Sequence, residues 1–235
     1  MLDTRTPILV SPLMTLPERV TLGPIQNPVR GLLNGTAAIM AGVGLAFLVT
    51  TGSGLWARLS LAVFGAGLVI LFSVSCLYHA VPWTPTAKAI MRRVDHSAIF
   101  ILIAATYTPL AIIVFDGWIS WLTLGVVWGI AAFGIGQHAF FPRSQQVLSM
   151  ILFQVMGWLA VFIMIPMGQR LGWTPVLLFL GGGVLYTAGM IFMATGRPRL
   201  WPRVFSAHEL FHVLVIAAGT LHFVATIRWV APYSA

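Results

Sequence analysis

Seven long apolar segments dominate the chain, and short stretches carrying proline, glycine and charge separate them. A transmembrane helix needs roughly 20 mainly apolar residues, and each segment reaches that length. The segments lie near residues 32–52, 58–80, 95–115, 118–140, 147–167, 173–194 and 206–230. Continuous apolar runs, rather than alternating strands of about ten residues, indicate helices instead of a membrane β-barrel. The pattern predicts an all-α integral membrane protein with seven transmembrane helices.

The N-terminal stretch differs from the rest, because it is mixed in character and dotted with proline. No long apolar core in it ends at a small-residue cleavage site, so we do not interpret it as a cleaved signal peptide. We expect residues 1–30 to form a cytoplasmic tail near the membrane surface and residues 31–235 to form one seven-helix transmembrane domain.

Composition supports the membrane assignment. Hydrophobic residues make up 59% of the chain, charged residues only 8%, and the mean hydropathy is +0.94, whereas soluble domains carry about 25% charged residues. The formal charge of +8 would suggest a nucleic-acid partner in a soluble protein. Here the basic residues lie between apolar segments, so we expect no nucleic acid and connect the charge with orientation. The lone Cys76 excludes an internal disulfide.

The basic residues are unevenly divided between the two sides that seven spans define. Ten lie on the N-terminal side and three on the other. The ten are Arg5, Arg19, Arg30, Lys88, Arg92, Arg93, Arg143, Arg197, Arg199 and Arg203; the three are Arg58, Arg170 and Arg228. Because positive residues accumulate on the cytoplasmic side, we expect a cytoplasmic N-terminus, an external C-terminus and a multi-pass protein of the plasma (inner) membrane.

Two glycine motifs and one proline predict how the helices pack and where one of them bends. The spacing Gly125-x-x-x-Gly129 and the run Gly181-Gly182-Gly183 are typical of places where helices approach closely. Pro109 falls inside the third segment, where we expect it to kink the helix and free nearby carbonyl groups.

The candidate chemistry begins with His208 and His212 at the start of the last segment. Residues four apart share one face of an α-helix, so both imidazoles can reach a single metal ion. The alternative is that each hydrogen-bonds a helix carbonyl or hydroxyl group. Ionisable groups inside membranes are costly and usually functional, which favours the metal. A four-coordinate zinc ion then requires a third protein ligand.

His79 is the predicted third ligand. It ends the second segment, Asp95 begins the third, and alternation of direction places both at the same membrane depth as His208 and His212. Three histidines and an open position are typical of catalytic zinc. Asp95 would hold a water molecule or orient a ligand. Ser75, one turn before His79, would contact that water or a substrate oxygen, or instead bond back to a helix carbonyl.

The remaining candidates receive structural interpretations. We expect Cys76 to be a packed thiol and His96, rotated about 100° from Asp95, to act behind the ligands or at a helix end. His222 lies ten residues beyond His212, roughly 15 Å along the helix, too far to share the ion, so an interhelical hydrogen bond is expected. We expect His138 to be an interfacial residue.

The segment His208-Glu209-Leu210-Phe211-His212 also matches the H-E-x-x-H pattern of metalloproteases. Such enzymes take a third ligand from further along the chain, where only His222 is available. Glu209 is turned about 100° from His208, and we expect it to face the aqueous edge. An intramembrane protease is therefore the less favoured alternative.

Three sequence blocks together resemble the hemolysin III branch of the progestin and adipoQ receptor superfamily. They are Ser75-x-x-x-His79, then Asp95-His96-Ser97-Ala98-Ile99-Phe100 running to Ala105-Thr106-Tyr107-Thr108-Pro109, and His208-x-x-x-His212 continuing to His222-Phe223. Their order and spacing agree from about residue 28 onward. One departure concerns the first span, where Asn34 aligns with a histidine of many bacterial members and a preceding acidic pair is missing.

The resemblance implies seven helices with a cytoplasmic N-terminus and a Zn²⁺ ion near the inner leaflet. It assigns His79, His208 and His212 to the metal, and Asp95 and Ser75 to the surroundings of a water molecule. Adiponectin receptors of this superfamily are linked to ceramide hydrolysis, and a wider grouping places them beside alkaline ceramidases. The bacterial members are named for haemolysis and discussed in membrane-fluidity homeostasis.

The leading hypothesis is a zinc-dependent hydrolase of a lipid amide or ester at the inner leaflet, with membrane lipids as substrate or ligand. In it Asp95 accepts a proton and Ser75 positions the substrate or developing oxyanion. One alternative is a sensor or membrane-homeostasis protein with structural zinc. Another is a haemolysin, for which the sequence shows no amphipathic segment suited to disrupting membranes. A lipid-sized cavity opening onto the metal would distinguish the enzyme from the structural site.

Overall fold

The protein was analysed as a computed structural model that describes residues 26–140, 146–201 and 204–234. These residues form eight α-helices. They are α1 (Pro28–Thr51), α2 (Leu55–Ala80), α3 (Pro85–Pro109), α4 (Gly117–Phe140), α5 (Gln146–Trp158), α6 (Val161–Leu171), α7 (Trp173–Thr195) and α8 (Ala207–Ala225). Helices α5 and α6 together make one span, so seven helical spans are long and apolar enough to cross a membrane. The predicted all-α, seven-span fold is confirmed.

Helix α3 occupies the centre of the bundle, and its span is the most buried of the seven. Two clusters of buried apolar side chains pack on opposite sides of it. Phe100 belongs to the cluster formed with α4, α5, α6 and α7, and Leu102 to the cluster formed with α1, α2 and α8. The first and last spans are neighbours, because α1 contacts both α2 and α8. This arrangement brings the end of α2 and the beginning of α8 together.

Helix α3 begins at Pro85, ten residues before the start predicted from hydropathy. Thr84 caps the helix by accepting a hydrogen bond from the backbone N–H of Ala87 at 3.3 Å, and proline at the first helical position is favourable. The first turns carry Lys88, Arg92 and Arg93, so they look polar in sequence although they are helical. Asp95 consequently lies well inside the helix, rather than at its beginning.

Two spans change geometry along their length. Directly after Pro109, the third span continues as a π-helical turn over Leu110–Val114, because proline supplies no N–H for the regular ladder. At the end of this turn, the Val114 carbonyl accepts a hydrogen bond from the Arg170 guanidinium. The fifth span breaks between α5 and α6, where the Tyr107 hydroxyl contacts the carbonyl oxygens of Met156 at 2.9 Å and Gly157 at 2.8 Å.

The two glycine motifs behave differently. The prediction that Gly125 and Gly129 mediate close helix packing is wrong for the described chain, since a Cβ at either position would meet no atom within 4 Å. Both lie on an exposed face of α4. Gly182 does mediate a close approach: a Cβ there would lie 2.3 Å from Nε2 of His222. Glycine at this position therefore allows α7 to pack tightly against α8.

Candidate metal centre and adjoining cavity

Helices α2 and α8 together supply one cluster of imidazoles. His79 occupies the last turn of α2, and His208 and His212 occupy the first turns of α8. The ring centroid of His79 lies 4.9 Å from the ring centroid of His208 and 4.9 Å from that of His212. The rings of His208 and His212 are stacked, with their centroids 5.0 Å apart. One ligand atom from each residue lies within 4.8 Å of the others. His79 and His212 are buried and His208 is half-buried.

The spacing of these nitrogen atoms fits a tetrahedral metal site. Metal–nitrogen bonds of about 2.0–2.1 Å at tetrahedral angles place neighbouring ligand atoms roughly 3.3–3.4 Å apart. The Nε2 atoms of His79 and His212 are 3.2 Å apart and face each other. Imidazole is also a preferred ligand of first-row transition metals. The three histidines could therefore hold a metal ion with little rearrangement of these two side chains.

Asn34 of α1 contacts the opposite side of the His212 ring. Its amide nitrogen lies 3.1 Å from Nδ1 of His212 and donates to the backbone carbonyl of Arg30 at 2.9 Å. Asn34 is only 1% exposed, so the contact is held inside the bundle. In the sequence this position is only a departure from the family pattern. A His212 ring that binds a metal through Nε2 carries its proton on Nδ1, so in that state the amide oxygen of Asn34 would face the ring and fix its orientation.

We expect Asn34→Leu to weaken metal binding by roughly tenfold to a hundredfold, as losses of groups that orient metal ligands typically do. Asn34→Asp is the matched control, because its carboxylate has similar size and can accept the Nδ1 proton of a metal-bearing His212. Competition titrations with a chelator of known affinity measure both variants. An unchanged affinity in Asn34→Leu would reduce the contact to packing.

A buried ion pair supports the cluster from the other side of α8. Arg30 donates through Nε to Oε1 of Glu209 at 2.7 Å. The second carboxylate oxygen accepts from the backbone N–H of Ser206 at 2.8 Å and from its hydroxyl at 2.7 Å, completing a capping box at the start of α8. The expectation that Glu209 faces the aqueous edge is wrong, since it is 2% exposed. Arg30, which we expected in the N-terminal tail, lies inside α1.

We expect Glu209→Gln to lower the melting temperature while bound metal is retained. Removing one partner of a buried pair typically costs about 3–5 kcal/mol because the other charge stays buried, whereas glutamine preserves the capping box. The double variant Arg30→Met/Glu209→Gln removes both charges and should recover part of the loss. Complete loss of activity in Glu209→Gln with metal and stability intact would instead favour the protease hypothesis.

Ser75 and Asp95 lie next to each other beside the imidazole cluster. Ser75 is contributed by α2 and Asp95 by α3. Both side chains are largely buried, and both line the same cavity as His212. In the part of the chain that the structure describes, the group of ligand atoms close enough for one ion comprises the three histidines without Asp95.

The other singled-out residues have separate partners. Cys76 donates to the Gly31 carbonyl at 3.3 Å, and His222 contacts the carbonyl of Phe179 on α7 at 3.1 Å, which confirms the expected interhelical bond. His96 bonds back to the Arg92 carbonyl at 2.7 Å. His138, two residues before the end of α4, is buried, and its Nε2 lies 3.1 Å from the hydroxyl of Ser149 on α5.

A large cavity extends from the imidazole cluster into the bundle. Its empty space amounts to about 1290 Å³, counting the part open to the outside. Asn34, Ser75, Asp95 and His212 line one part of it. Apolar side chains form most of the remaining wall, with α3, α5, α6, α7 and α8 contributing to it. The cavity thus joins the candidate metal centre to the apolar interior.

These features define a multi-pass helical membrane protein with a three-histidine group that could hold a metal ion. The sequence model of the family described as haemolysin-III related matches residues 26–223. That match covers well over half of the chain, so the protein belongs to this family, as the sequence blocks around the histidines predicted.

Individual relatives agree with the family assignment. The chain is 31% identical to "Hemolysin-3" of Bacillus cereus over 176 residues, covering 75% of this chain and 77% of the relative. It is 30% identical to "Hemolysin-3 homolog" of Bacillus subtilis over 195 residues, covering 82% and 88%. The human "Monocyte to macrophage differentiation factor" is 25% identical over 198 residues, covering 78% and 75%. The likeness therefore extends across most of each protein.

Proposed function

We propose that this protein is a zinc-dependent hydrolase that cleaves an amide or ester bond of a membrane lipid. The observation that carries the proposal is the cavity, because His212 of the three-histidine group and mostly apolar side chains line it together. A purely structural metal needs no such space. The names of the relatives refer to haemolysis or to cell differentiation and specify no reaction.

Zinc suits the donor set, since three histidines with an open fourth position are the ligands of many hydrolytic zinc sites, where the ion activates water and polarises a carbonyl. Asp95 serves as the general base, because its carboxylate lines the cavity beside the histidines without belonging to the ligand group. Ser75 lines the cavity together with Asp95 and can donate to a substrate oxygen as negative charge develops.

The apolar wall favours a lipid over a peptide or a soluble metabolite. Hydrocarbon chains enter such a space without losing hydrogen bonds, whereas a polar substrate would be desolvated. The basic residues support placing this end of the bundle at the inner leaflet of the plasma membrane: removing the buried Arg30 from the ten leaves nine against three. Membrane lipids are thus both the surroundings and the substrates.

Hydrolysis by purified protein in lipid nanodiscs tests the proposal. Lipid amides and esters with long acyl chains are offered to the protein as purified, after chelation, and after zinc is returned. We expect hydrolysis that disappears with the chelator and returns with zinc. If chelation lowers the melting temperature while no lipid is cleaved under any condition, the metal is structural and the enzyme hypothesis fails.

A further inference from the structure

We propose that the cavity contains a second recognition site, formed by Gln154, Trp158 and Thr187, that binds a free hydroxyl group on the acyl chain of the lipid. These three residues are named here the α5–α7 polar cluster. All three line the cavity that reaches His212. The identity of the lipid as a substrate rests on the proposed function, whereas the recognition site rests on contacts between α5 and α7.

The hydrogen bonds of Thr187 fix the orientation of the Gln154 amide. The Thr187 hydroxyl donates its single proton to the Gly183 carbonyl at 2.9 Å. Its oxygen then accepts from the indole N–H of Trp158 at 3.1 Å, a group that can only donate. The Gln154 atom at 3.1 Å from the same oxygen must therefore also be a donor, which identifies it as the amide nitrogen Nε2.

This orientation leaves the carbonyl oxygen of Gln154 as the acceptor of the cluster. Among the described residues, the side chain of Gln154 has its hydrogen bond through Nε2, and Oε1 accepts none. A polar side chain in the middle of a membrane span is costly and typically marks a ligand path. Tyr107, which also lines the cavity, directs its hydroxyl proton to the backbone of the fifth span, so its oxygen offers only lone pairs.

The free capacity of this part of the cavity therefore includes the Gln154 oxygen as an acceptor, together with the second hydrogen of Nε2. A plain hydrocarbon chain would leave the Gln154 oxygen without a partner. A keto or ester group could accept from the second Nε2 hydrogen, but it would also leave that oxygen without a donor. A hydroxyl group can donate to Gln154 while the rest of the chain remains in apolar surroundings, so a hydroxylated acyl chain is the chemistry that fits.

The cluster lies at nearly the same depth as His212, and both line one cavity. Gly189 of α7 packs against Phe211, the residue before His212: a Cβ at Gly189 would lie 3.2 Å from the Phe211 ring. Thr187 is two residues from Gly189 in the direction of Gly182, which packs on His222. Two residues correspond to roughly 3 Å of helix rise. The polar cluster is therefore slightly deeper in the span than His212.

The test compares matched lipids on matched variants. Lipid amides carrying a stearoyl chain, or the same chain with one hydroxyl at an early, middle or late carbon, are bound to metal-free protein in nanodiscs. Their hydrolysis is then measured with zinc. For at least one hydroxyl position we expect the wild type to prefer the hydroxylated lipid by roughly two- to tenfold, the value of one net hydrogen bond.

Gln154→Met should abolish this preference, because neither lipid then meets a hydrogen-bond acceptor at this position. Gln137→Met is the matched control, because Gln137 is a buried glutamine of α4 outside the lining of the cavity. Thr187→Val provides a second variant, since it removes the acceptor that orients Gln154. Melting temperatures identify any variant that fails to fold.

The two arms separate the failure of this inference from the failure of the proposed function. A hydroxyl preference in binding that Gln154→Met removes, without hydrolysis of any lipid, would retain the recognition site and discard the enzyme. Hydrolysis with equal preference for both lipids, or a preference that survives both Gln154→Met and Thr187→Val, would overturn the recognition site and retain the enzyme.

Discussion

Replacing any one of His79, His208 or His212 by alanine is expected to remove bound metal from the purified protein. The reason is geometric: three ligand atoms lie within 4.8 Å of one another, and the part of the chain that the structure describes offers no further member of that group. Sites of this kind bind zinc with about 10–16 kcal/mol, so each ligand contributes roughly 3 kcal/mol or more, a factor above a hundred in affinity. Elemental analysis after dialysis measures the stoichiometry.

Two other histidines serve as controls for this expectation. His222→Ala and His138→Ala remove a half-buried and a buried imidazole, whose hydrogen bonds go to Phe179 and Ser149, away from the cluster. Both variants should keep full metal occupancy, although each leaves a cavity and should lower stability. Full occupancy in His208→Ala, with the protein folded, would remove His208 from the site and leave two ligands, too few for a tight zinc centre.

Asp95→Asn is expected to keep most of the metal and to lower lipid hydrolysis by about 10²–10⁴-fold, the contribution of a general base. Asparagine retains the size and hydrogen-bonding reach of aspartate toward Ser75 but cannot accept the proton. Zinc stoichiometry, melting temperature and hydrolysis rate are measured on this one variant. Ser75→Ala is the companion change, and it should retain metal with a smaller loss of rate because the carboxylate remains.

The same measurements distinguish a structural metal from a catalytic one. In that case Asp95 would be a fourth ligand, and Asp95→Asn would lower metal affinity and melting temperature together. Loss of metal in Asp95→Asn, combined with no hydrolysis by the wild type, would contradict the enzyme hypothesis. Retained metal with a rate equal to that of the wild type would leave the metal site standing and remove Asp95 from the reaction.

The apolar runs and the alternating direction of successive spans predicted much of the fold. Apolar runs of about 20 residues specify spans because the backbone must satisfy its own hydrogen bonds in lipid. Span direction alternates, so the end of the second span and the beginning of the seventh had to share a depth. The structure brings His79, His208 and His212 together at that depth. His222, set apart by the helix rise alone, bonds across to α7.

Other features depend on contacts that no local pattern encodes. The polar first turns of α3 resemble a loop because hydropathy does not register the Thr84 cap and Pro85. Glu209 looked like an exposed residue until the fold supplied Arg30, 179 positions away, as its partner. Asn34 reaches His212 across a separation of 178 residues. The sequence did offer one signal for these pairs, since ionisable or amide side chains within membrane spans need partners.

The ion pair between Arg30 and Glu209, like the contact between Asn34 and His212, joins α1 to α8. The helices that precede α8 contain one histidine of the cluster, and Arg30 meets Glu209 only when α8 is in place. Formation of the three-histidine group therefore depends on the docking of α8, and metal binding to this group would report that docking.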